Sequence, residues 1–96
     1  MPAYETVFAV PAAFSEEERA GSLKAVEELI TGSGGEISSV DEMGERRMAY
    51  PVKKHEMACY YSILFNCPPS ALDGLKRHFR LDDRYIRDIT VRKDEK

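Results

Sequence analysis

The chain has 96 residues, 43% apolar and 32% charged, an ordinary globular mixture large enough for one small core. No run approaches the roughly 18 apolar residues of a membrane-spanning helix, and no basic segment precedes an apolar one at the N-terminus. A cytosolic chain without a secretory leader is expected. The net charge of −3 hides an asymmetry: the segment through Glu45 sums to −8, and the remainder to +5. The second half therefore offers a basic surface to phosphates, although two solvated faces that neutralise each other would give the same totals.

Tyr4 to Val10 is β-branched and aromatic and is stopped by Pro11, which predicts a strand. Ser15 then opens a helix. Its hydroxyl and the Glu18 carboxylate fit a capping box, and Glu16 and Glu17 suit the positive helix end. Leu23, Val26 and Ile30 recur as a helical stripe, and Gly32, Gly34 and Gly35 end it. Glu36 to Met43 reads as a second strand that continues past a break at Gly44 through Met48, Tyr50 and Val52. These three share a parity, with Tyr50 expected in the core. Pro51 lacks an N–H and puts this strand at a sheet edge.

Lys53 to Glu56 reads as a polar turn, and Met57 to Asn66 as a third strand. Tyr61, Ile63 and Phe65 share one face, and Tyr60, Ser62 and Leu64 the other. Apolar groups on both faces suit a central strand. Pro68, Pro69 and Ser70 introduce a second helix with Ser70 as the expected cap and Asp73 in its first turn. Leu72, Leu75 and Phe79 are its apolar stripe, and Arg77, His78 and Arg80 sit in the last turn, where cations are favoured. Tyr85 to Arg92 is the last strand. Asp88 breaks its alternation, so its buried face stays unassigned.

The order βαββαβ predicts an α+β, ferredoxin-like two-layer sandwich, a four-stranded antiparallel sheet with both helices on one face, as a single domain over 1–96. The other face would carry Val7, Tyr60 and Leu64, an apolar patch that invites a partner.

The stretch Gly44-Glu45-Arg46-Arg47-Met48-Ala49-Tyr50-Pro51-Val52-Lys53 resembles the signature of the sixth protein family of the bacterial small ribosomal subunit. There a glycine and a basic residue precede Leu-Ala-Tyr-x-Ile, with Met48 and Val52 standing here for the leucine and isoleucine. Tyr4-Glu5, the pair Tyr60-Tyr61, and Phe79-Arg80-Leu81-Asp82 leading to Ile86-Arg87 agree with it. The resemblance implies a structural protein, not an enzyme. It would bind the central domain of small-subunit ribosomal RNA as a heterodimer with the eighteenth small-subunit protein. Pro2 and Ala3 stand where many relatives carry arginine, a departure that weighs against an N-terminal RNA contact.

The resemblance points to Arg87 as the leading RNA contact, since a guanidinium there can grip a phosphate with two bonds. The alternative is a solvated strand arginine. Arg80, Arg92 and Lys93 would extend the footprint, or else be a helix-end cation and a charged tail. Arg46, in the signature, is a further expected RNA contact, with a structural role as the equal alternative; only one of Arg46 and Arg47 can share a face with Met48, and Gly44 is placed to make a bulge that re-aims them. Tyr60 and Leu64 are the expected protein-partner contacts, with plain surface exposure as the alternative.

Cys59 and Cys67 are too few for a zinc site and read as buried thiols, and His78 reads as a surface residue. No metal or cofactor is expected. Of the competing classes, acyl-phosphate hydrolysis would need a glycine-rich cradle and a convergent arginine, and the Pro11-Ala12-Ala13-Phe14 loop has neither. A small-molecule-binding or dimerisation module of the same fold is the remaining alternative.

Overall fold

The computed structural model describes residues 2–52 and 55–93. In chain order the elements are β1 (Ala3–Pro11), α1 (Glu16–Gly32), β2 (Glu36–Val52), β3 (His55–Asn66), α2 (Ala71–Leu81) and β4 (Arg87–Arg92). The sheet order is β2-β3-β1-β4, with every neighbouring pair antiparallel. This is the predicted βαββαβ sandwich. As Pro51 requires, β2 is an edge strand, while β1 and β3 are central.

Alternation along β1 divides the sheet into two faces. Tyr4, Thr6, Phe8 and Val10 are buried on the helix side, opposite Phe65, Ile63, Tyr61 and Cys59 of β3. Residues paired across antiparallel strands share a face. Val26 and Ile30 of α1 and Leu75 and Phe79 of α2 close this layer. Phe8 is its centre, fully buried and 5.5 Å from the ring centroids of Tyr61, Phe79 and Tyr85. Burying one such side chain contributes about 1.5–3 kcal/mol. Thr6, the polar residue in the same row, is satisfied by the Thr90 hydroxyl at 3.0 Å.

Helix α1 starts as its sequence requires. The Glu18 N–H donates to Ser15 Oγ at 3.1 Å, and the Ser15 N–H donates to Glu18 Oε1 at 2.8 Å. Helix α2 departs from expectation. Ser70 is at the N-cap position, but its hydroxyl makes no capping bond. A tight turn serves instead: Ala71 and Leu72 donate their N–H groups to the carbonyls of Pro68 and Pro69, at 2.9 and 3.1 Å. Between α1 and β2 the chain passes so close to β3 that a Cβ on Gly35 would lie 2.7 Å from the Asn66 carbonyl and 2.8 Å from that of Ile30.

Two boundaries differ from the sequence reading. His55 and Glu56, expected in a turn, begin β3. The side chain of Tyr50, expected in the core, lies outside the described residues, as do Lys53 and Lys54. Tyr85, expected to start the last strand, precedes it and fills the core, its hydroxyl donating to the Ser22 carbonyl at 2.6 Å. His78, expected at the surface, is only half-exposed. Its ring packs edge-on against Tyr85 at 5.0 Å, and its Nε2 is buried without a hydrogen-bond partner.

Candidate RNA and partner interface

The helix-free face is built by the other parity of β1. Pairing aligns Arg87, Ala9, Tyr60 and Gly44 in one row, and Ile89, Val7, Ser62 and Asp41 in the next. A third row holds Val91, Glu5, Leu64 and Ser39. At one end Met48, Ala9, Ala58 and Ile86 form a small second core, with Tyr60 packed against it. Toward the other end apolar groups stay in water: Leu64 is 37% exposed, Val91 42% and Ile89 59%.

Gly44 decides which arginine reaches this face. Its φ of +88° is costly for any residue with a Cβ, and the register slips by one residue between Glu42 and Gly44. The extra residue reverses the parity of the residues that follow as far as Met48, so Met48 and Arg46 turn to the open face and Arg47 to the helix side. Arg46 is exposed opposite Ala58, and its guanidinium donates to the Met43 carbonyl at 3.3 Å. Arg47 instead meets Glu56 at 3.4 Å, both ends in solvent.

The five expected RNA contacts do not form one patch. Arg87 lies on the open face beside a shallow depression lined by Val7, Tyr60 and Ile89. Lys93 follows β4 on the same parity, a strand length of about 20 Å away. Arg46 shares the face but is three strands distant, roughly 14 Å. Arg92 is paired with Tyr4 on the helix-side parity, and Arg80 is exposed in the last turn of α2, on the helix layer. Arg87, Lys93 and Arg46 thus share a face, while Arg80 and Arg92 belong to the other. The two expected partner contacts, Tyr60 and Leu64, do stand on the open face, Tyr60 half-buried and Leu64 exposed.

Sequence reasoning missed a charged node in the middle of this surface. The Glu5 carboxylate accepts from the Ser62 hydroxyl at 2.7 Å and meets Lys93 Nζ at 3.5 Å. The Ser62 hydrogen bond, aided by the Lys93 charge, holds its pKa below the usual carboxylate value. It also missed Ile89 and Val91. The signal was present, since Arg87, Ile89, Val91 and Lys93 share one parity.

The thiols behave as expected: Cys59 and Cys67 are free and buried, and burial pushes both pKa values up. Among the described residues no cluster of His, Cys, Asp or Glu could hold a metal ion, and no helix is long and apolar enough to cross a membrane.

The fold is a two-layer α+β sandwich with one covered face and one half-open face that carries cations, carboxylates and apolar side chains. Comparison with known proteins narrows the class. The family described as Ribosomal protein S6 matches residues 3–92, and the chain belongs to that family. A small ribosomal subunit protein bS6 from Sulfurimonas denitrificans is 36% identical over 91 residues, covering 95% of this chain and 66% of its own length. The bS6 protein of Caldanaerobacter subterraneus subsp. tengcongensis is 36% identical over 95 residues, covering 99% of this chain and all of its own. The crystal structure of 30S ribosomal protein S6 from Thermotoga maritima superposes with a TM-score of 0.90 at 32% identity, covering 96% of this chain and 87% of that one.

Proposed function

We propose that this chain is a structural constituent of the small ribosomal subunit in the bacterial cytoplasm. It binds the central domain of the small-subunit RNA together with the eighteenth small-subunit protein, and it catalyses no reaction. Family membership over residues 3–92 carries the ribosomal part of this reading. The finer part is supported by the open sheet face, which sets Arg87 and Lys93 beside exposed Leu64, Ile89 and Val91.

The two kinds of group divide the work. Arg87, Arg46 and Lys93 reach phosphates, with Arg80 and Arg92 touching RNA that wraps past the β4 edge. Phosphate contacts of this kind fix position on a folded RNA and release counterions, so affinity falls with salt. Tyr60 and Leu64 anchor the protein partner, because a central aromatic or aliphatic group shielded from water carries most of an interface. The acidic α1 side repels RNA, so binding to RNA requires the partner's added charge.

Filter binding of the purified chain to central-domain RNA, with and without the partner, tests this across a salt series. Arg87→Ala should weaken binding and reduce the salt slope by about 0.7–0.9, one phosphate's worth. Leu64→Ser should abolish the partner's contribution and leave the slope per phosphate intact. Binding that ignores both the partner and Arg87→Ala overturns the assignment.

A further inference from the structure

The two edges of the sheet are finished differently. Edge β2 is interrupted by register shifts at Ile37/Ser39, Glu42/Gly44 and Arg47/Val52, and it carries Pro51 near its end. Bulges, charges and proline are the usual devices that keep a second strand from adding to an edge. Edge β4 has neither bulge nor proline, and its charged residues, Arg87, Asp88 and Arg92, are of both signs. Its six residues pair with β1 in unbroken register from Tyr4↔Arg92 to Ala9↔Arg87, and among them Ile89 and Val91 are exposed.

The backbone of β4 shows which groups face outward. The Lys93 N–H donates to the Ala3 carbonyl at 2.8 Å, which fixes the alternation. Arg87, Ile89 and Val91 direct their N–H and C=O groups to β1, so those of Asp88, Thr90 and Arg92 point away from the sheet. We propose that β4 pairs antiparallel with β4 of a second copy, about a two-fold axis through Thr90 and perpendicular to the sheet.

The side chains select this register. With Thr90 opposite its own copy, Asp88 of each chain faces Arg92 of the other, so the helix-side row gains two complementary charge pairs. On the open face Ile89 faces Val91 twice and forms a four-residue apolar strip. Arg87 falls opposite Lys93, but Lys93 already meets Glu5 at 3.5 Å, so the opposing group is an ion pair and not a bare cation. Shifting the axis to Ile89 would set Arg87 against Val91 and leave both charge pairs unmade. All six outward N–H and C=O pairs are satisfied in the first register, from three residues on each chain. One strand pair gives an interface at the small end of the known range, so the dimer is weak and forms at high concentration. This association uses the β4 edge and Arg92, which the proposed RNA contact also uses, so it is measured without RNA.

Sedimentation of the full chain from about 10 µM to about 1 mM tests the proposal, since a weak dimer populates over that range. The wild-type chain should move from monomer to dimer. Asp88→Arg and Arg92→Asp each place two like-charge pairs across the axis and should weaken the dimer by about tenfold or more. An equimolar mixture of the two variants restores opposite charges at both positions and should dimerise where neither does alone. Circular dichroism of each variant checks that the exposed substitutions leave the fold intact. As a second measurement, the amides of Asp88, Thr90 and Arg92 should gain protection from hydrogen exchange with concentration, and those of β2 should not.

A wild-type chain that stays monomeric throughout overturns the proposal, as does a mixture that fails to rescue the variants. Protection of the β4 amides only when the eighteenth small-subunit protein is added would assign the edge to a foreign strand instead.

Discussion

The two faces of one sheet follow opposite rules. On the helix side every β1 residue from Tyr4 to Val10 of that parity is buried, and the aromatic rings of Phe8, Tyr61, Phe79 and Tyr85 interlock. On the other side the same strand contributes Glu5 and Val7, only half-buried, and the neighbouring strands leave Leu64, Ile89 and Val91 in water. The first face holds the fold together, and the second is available to other molecules. Substitutions on the two faces should therefore separate stability from binding.

The sharpest break comes at the centre of the covered face. Phe8→Ala should cost about 3–5 kcal/mol in denaturant unfolding, because the cavity left among three rings cannot fully collapse. Gly35→Ala should follow at about 1–3 kcal/mol, since the added methyl meets backbone carbonyls of Asn66 and Ile30 that have nowhere to move. Tyr85→Phe should cost about 1 kcal/mol by removing the hydroxyl donated to Ser22.

His78 adds a pH dependence to the covered face. Burial pushes its pKa below the ordinary 6.5, with Asp82 opposing and Arg84 reinforcing that shift. The unfolded chain then binds the proton more readily than the folded one, so stability falls as pH drops below about 6.5. Glu5 and Asp82 have lowered values, so their contributions are lost at still lower pH, as each falls through its folded pKa. Urea midpoints at pH 7.5 and 5.5 should differ more for the wild-type chain than for His78→Leu. The smallest effect belongs to the open face. Ile89→Ser should stay within about 0.5 kcal/mol of wild type in the same unfolding experiment. A larger loss would show that this face is part of the core after all.

The covered face was readable from sequence because its residues obey a period. Val26 and Ile30, Leu75 and Phe79, and Tyr61, Ile63 and Phe65 all lie where their spacing put them. The last strand was not readable, and its position explains why. It lies at the sheet edge, where the helix-side residues Asp88 and Arg92 are exposed despite pairing with buried Phe8 and Tyr4. An edge strand can carry polar groups on both parities, so alternation loses its meaning there. His78 was misread for a related reason. Its charged neighbours in sequence suggested solvent, but the ring that covers it, Tyr85, comes from the loop before β4.

The surface was legible in part. Resemblance to a family picked out Arg87 and the tyrosine pair, yet it could not say which arginines share a face. That depends on one inserted residue at Gly44, which reverses the parity of Arg46 and Arg47. The Glu5–Ser62–Lys93 node was invisible because its three members lie far apart along the chain and meet only through strand pairing.

The two cysteines sit at different places along β3, one of the two central strands: Cys59 lies within it, and Cys67 immediately follows its last residue. Both are buried and held as neutral thiols, so an alkylating reagent reaches either one only when that part of the strand comes loose. Their separate labelling rates would time the opening of β3 in its interior and past its last residue, with no engineered probe in the chain.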